Sequence, residues 1–115
     1  MNITEKIEFQ ETTYDAKESF IGPAVVFDIL KYVKHKPLND GYNLFVELSY
    51  KHDGTTDNAC IRRVIGEQTP SAYNEFAQYV AFKMEFNIGR HVKPSALESF
   101  TIRISQIKTD EANND

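Results

Sequence analysis

An α+β fold is predicted from two kinds of periodicity in one short chain. Four segments alternate apolar and polar residues, the signature of strands buried on one side, and two longer segments carry apolar residues at helical spacing. The third observation is their order: strand, helix, strand, strand, helix, strand. That order matches the split β-α-β arrangement of ferredoxin-like folds, a four-stranded antiparallel sheet with two helices on one face. A four-stranded α+β sandwich with another strand order is the competing topology.

The first strand is read in "KIEFQ", where Ile7 and Phe9 fall on one side and Lys6, Glu8 and Gln10 on the other, with an extension into "ETTY". Gly22-Pro23 suits a helix start, because proline in the first turn sacrifices no needed donor. Val26, Ile29, Leu30 and Val33 then form the apolar face, and Pro37 prevents continuation. The clearest strand is "YNLFVELSYKH", which sets Leu44, Val46, Leu48 and Tyr50 against Phe45, Glu47, Ser49 and Lys51. Asp53-Gly54 signals a turn at the start of "DGTTDN", a six-residue connection longer than the tightest hairpin loops, and "ACIRRVIG" returns as the paired strand. Thr69 is the N-cap of the second helix, with Pro70 behind it and Ser71 as a competing cap, and Gly89 is its natural stop. "SFTIRISQIK" closes the fold by alternating Phe100, Ile102 and Ile104 with Thr101, Arg103 and Ser105.

A chain of 115 residues has room for one domain, read as residues 1–108, followed by a polar acidic tail, 109–115, that is expected to be disordered. The 13 Lys+Arg face 17 Asp+Glu, but Asp110, Glu111 and Asp115 belong to the tail, which leaves 13 against 14 for the folded part. A body so close to neutral lacks the basic field that duplex DNA binding requires. Cys60 is the only cysteine, so neither an intramolecular disulfide nor a multi-cysteine zinc site can form, and a reducing cytoplasm fits best. No apolar run approaches the length of a membrane span, and the first residues lack a signal-peptide pattern.

The second helix is the most informative segment. At about 100° per residue, Tyr73, Phe76, Ala77, Val80 and Met84 cluster as a sheet-facing side, while Tyr79, Phe82 and Phe86 form a second stripe roughly opposite, beside Glu75 and Lys83. Two readings compete. Either Phe27, Tyr32 or "VKPSAL" folds over the stripe within the chain, or the stripe is an interface for self-association or a protein partner. The second reading makes the chain a small, cytoplasmic, non-enzymatic interaction protein, a homo-oligomer acting as a regulator or inhibitor by occlusion. A virus-encoded inhibitor of host defence is compatible with that size and no more than that.

Two other functions are weighed against it. Arg62, Arg63, Arg90, His91 and Lys93 are candidate anion ligands, able with a ring such as Phe82 or Phe86 to hold a nucleotide-like molecule between subunits. An RNA-binding sheet face would need two or three stacking rings, and only Phe45 is available there. No catalytic residue, cofactor or metal is assigned. His52, Asp53 and Asp57 read as turn chemistry rather than a cation loop, and Cys60 reads as a small core residue.

Overall fold

The computed structural model describes residues 2–63 and 69–109, with the side chains of 60–63 outside that description. Its elements are β1 (Ile3–Asp15), α1 (Ile21–His35), β2 (Asn43–His52), β3 (Thr55–Arg63), α2 (Pro70–Gly89) and β4 (Leu97–Thr109), with one 3-10 turn at Pro94–Ala96. The expected tail from Asp110 onward and the "VIG" end of the expected third strand fall outside the described residues.

Alternation places Leu44, Val46, Leu48 and Tyr50 on one side of β2, and the register sets them opposite Gln106, Ile104, Ile102 and Phe100 of β4. β1 pairs with the other side of β4, and β3 with the other side of β2, so the antiparallel sheet runs β1-β4-β2-β3. This order is compatible with a ferredoxin-like arrangement. β1-α1-β2 and β3-α2-β4 each join two strands that have one strand inserted between them, with β4 and β2 at the centre. Both helices bury their apolar sides against the same sheet face, in one core that includes Val25, Ile29, Val80, Met84, Ile102 and Ile104.

The β2–β3 connection is tighter than the sequence suggests. His52 pairs directly with Thr55, leaving Asp53 and Gly54 as a two-residue loop. Both have positive φ, 49° and 78°, which is the requirement of a type I′ turn and the reason Asp-Gly serves there. Most of "TTDN" is therefore strand. At the start of α2 the Thr69 side chain accepts the Ala72 N–H at 3.1 Å, as the cap reading requires.

Two expectations about apolar faces change. In β1 the register shifts between Ile7 and Gln10, where Glu8 has φ 58°, so one extra residue reverses the alternation. Gln10 therefore reaches α1, donating to the Asp28 carbonyl at 3.4 Å, and Phe9 is exposed. In α1 the buried side runs through Ala24, Val25, Asp28, Ile29 and Tyr32, whereas Val26, Leu30 and Val33 are only half-buried. Polar groups fit inside because β1 supplies bonding groups for them. Tyr14 donates to Asp28 Oδ1 at 2.7 Å, and Tyr32 donates to the Glu8 carbonyl at 2.6 Å. The bulge carbonyl of Glu8 is thus held by α1 instead of a strand. A third buried polar side chain, Gln106, accepts from the Asn39 backbone N–H at 2.8 Å and donates to the Pro37 carbonyl at 3.1 Å, tying the α1–β2 connection to β4.

Met84 is fully buried while Phe82, two positions away on α2, is exposed. Met84→Ala is expected to lower stability by about 2–5 kcal/mol. Phe82→Ser should change it by about 0.5 kcal/mol or less, and denaturant unfolding of the two variants measures the contrast.

Asp28 carries a pH dependence as well. Its Oδ2 is buried without a hydrogen-bond partner among the described residues. Burial raises the carboxyl above its ordinary range, and the Tyr14 bond offsets only part of that. A carboxyl that holds its proton more tightly folded than unfolded favours the native state at low pH and costs stability as pH rises through its folded value. Asp28→Asn keeps an acceptor for Tyr14 and removes the ionisation. The variant should lose the part of the stability decline that begins above about pH 4, as read from unfolding across a pH series.

Candidate functional site

The helical pitch that buries Tyr73, Phe76, Val80 and Met84 turns another row of α2 outward. Tyr79, Phe82 and Phe86 lie on that row with exposures of 39, 66 and 54%. The Phe82 and Phe86 rings stack with centroids 6.1 Å apart. Cations lie against the row: Lys83 Nζ is 5.9 Å from the Tyr79 ring centre, and the Arg90 guanidinium is 5.8 Å from that of Phe86. Glu75, also exposed, stands at the N-terminal end of the row. The interface residues anticipated from the sequence therefore share one continuous face.

Among the described residues, the anticipated segments do not cover the row. Tyr32 is fully buried beneath α1, and Phe27 is itself 62% exposed. "VKPSAL" contributes the 3-10 turn and the start of β4. Its Lys93, Pro94 and Leu97 line a cleft of about 290 Å³ with Phe20, Glu85 and Gly89 at the junction of the two helices. Exposed Phe20 is a feature the sequence reading missed, since it precedes the helix and belongs to no periodic face. At the same junction a Cβ on Gly22 would meet the Glu85 carboxylate, so glycine leaves room for that side chain against α1.

The candidate anion ligands divide into two sets. Arg90, His91 and Lys93 follow α2 and are exposed. The backbone register places Arg62 opposite Phe45 and Arg63 opposite Leu44, at the end of the sheet where α2 begins. Their side chains lie outside the description, and α2, with 20 residues, puts about 30 Å between its two ends. Within one chain, a single small ligand cannot bridge both sets.

On the sheet face away from the helices, Phe45 is only 6% exposed, with Lys6 Nζ 5.0 Å above its ring. Lys6 continues to Glu47 Oε2 at 3.4 Å, and Arg103 pairs with Glu11 from across the strands, its Nε donating at 2.8 Å. Thr13 and Thr101 hydroxyls meet at 2.8 Å. Cross-strand pairs of this kind stabilise a sheet face, and the ring a base would stack on is occupied.

At the β2–β3 turn, His52 Nε2 is 2.8 Å from Asp57 Oδ2, and Nδ1 is 3.5 Å from Asp53 Oδ2. The ring also stacks on Tyr50, with centroids 5.7 Å apart. Among the described residues no group of three His, Cys, Asp or Glu side chains is arranged to hold a metal ion, and no helix is long and apolar enough to cross a membrane. Compared with known protein families and with curated proteins, the sequence matches neither a family nor a relative.

The hydrogen bond to Asp57, followed by that to Asp53, raises the His52 pKa above its ordinary range. A raised histidine contributes stability below its unfolded-state pKa and loses that contribution as pH rises through the folded value. His52 should therefore titrate above about 6.5 in an NMR titration, and Asp57→Asn should move the midpoint down.

Proposed function

We propose that this chain is an interaction protein that docks a macromolecular partner through the outer row of α2. The observation that carries the reading is the exposure of Tyr79, Phe82 and Phe86 together on one helix face. Single apolar residues are common at surfaces, but aligned aromatics of about 150–250 Å² each are the kind of group that anchors an interface. Lys83, Arg90 and Glu75 border the rings, and charged residues around an apolar centre select among partners and steer association.

Replacing Phe82 and Phe86 together by serine tests this. Association should be lost, both in light scattering after size exclusion and in amine cross-linking from Lys83, while the unfolding temperature stays within about 3 °C of the parent, as for exposed substitutions. Association that survives the double substitution would refute the docking role of α2.

A further inference from the structure

Building on the docking role of α2, we propose that the partner this face fits is a second copy of the same chain, paired antiparallel helix to helix about a two-fold axis between Phe82 and Lys83. The evidence is the symmetry of the row itself. Reflected about that point, Glu75 exchanges with Arg90, Tyr79 with Phe86, and Phe82 with Lys83. A two-fold interface is self-complementary, so a residue that meets another across the axis is met by it in return. Two antiparallel copies thus bring each Glu75 to the other copy's Arg90, each Tyr79 to a Phe86, and each Phe82 to the Lys83 stem. A parallel pairing would set Glu75 against Glu75, Lys83 against Lys83 and Arg90 against Arg90, which like-charge repulsion disfavours.

Spacing and placement support the same geometry. Glu75, Tyr79, Phe82 and Phe86 recur at intervals of four, three and four residues, the spacing of an interhelical seam. Arg90 already lies on the row, with its guanidinium over Phe86 at 5.8 Å, so it can reach a second copy without leaving the patch. The contact is modest in size. With exposures of 39, 66 and 54%, rings of about 150–250 Å² offer roughly 300 Å² per copy. The charged stems at either end add to this, yet the total stays toward the small end of specific interfaces, which bury on the order of 800 Å² per copy. The pair is therefore a concentration-dependent dimer, not an obligate one.

The test uses reversed charges and sedimentation across a concentration series. The parent chain should pass from one-chain to two-chain mass as concentration rises. Glu75→Arg alone and Arg90→Glu alone should each weaken the dimer roughly tenfold or more, because each creates two like-charge contacts in the symmetric pair. Mixing the two variants should restore two-chain mass, since a Glu75→Arg chain and an Arg90→Glu chain complement each other at both ends; circular dichroism confirms that both are folded. A parent that remains a single chain up to about 1 mM, the weak end of measurable affinity, overturns the proposal. So does a folded mixture that fails to recover. If that failure comes while the Phe82 and Phe86 serine substitutions still abolish association, the antiparallel geometry falls and the docking role of α2 stands.

Discussion

Val46 and Leu48 of β2 lie opposite Ile104 and Ile102 of β4, all four fully buried, and the rest of the molecule is arranged around that pairing. β2 and β4 are far apart in sequence, so their register cannot be set by a turn. It is set by which side chains must be dry. A slip by one residue would send Arg103 and Ser105 into the core and turn Ile102 and Ile104 to the far face. Once the central pair is fixed, β1 and β3 add to its two free edges, and both helices have a single apolar surface on which to close.

Much of this was legible because period and burial agree. β2 and the inward residues of β4 alternate without interruption, and the Thr69 cap and Gly89 mark the bounds of α2. The sequence misled where the backbone leaves its regular path or where polar groups are buried. Nothing in "KIEFQ" announces the left-handed conformation at Glu8, a residue type with no preference for it. The bulge it forms reverses the roles of Phe9 and Gln10. In α1, a reading that searched for apolar residues passed over Asp28 and Tyr32. Both are admitted to the interior by bonds from residues distant in the chain, which no local pattern reveals.

The α2 surface was legible for a different reason. A helix with too many rings for one core shows its second row by angle alone, and Tyr79, Phe82 and Phe86 remain exposed in the fold. Angle also set Lys83 beside the rings, whereas it did not show that Arg90 lies against Phe86. The candidate anion ligands carried no such geometric information. Arg62 and Arg63 were grouped with Arg90 only as ligands shared between subunits, and within one chain the two sets lie at opposite ends of a long helix. Phe45 taught the converse lesson, since its position on the outer face is as read while Lys6 and the neighbouring strands bury it.

β1 is the first strand of the sheet in sequence and β4 the last, yet they pair from Ile3 with Thr109 to Asp15 with Ser99. During synthesis β1 thus lacks its partner strand until β4 has been made. The β2–β3 hairpin can form early through its Asp53-Gly54 turn, but the edge of β2 that will receive β4 then stands open, with Val46 and Leu48 beside it. An unpaired edge next to an apolar face is a template for aggregation. The nascent chain therefore passes through its most vulnerable state just before β4 is added, and a chain cut short before β4 is left in that state.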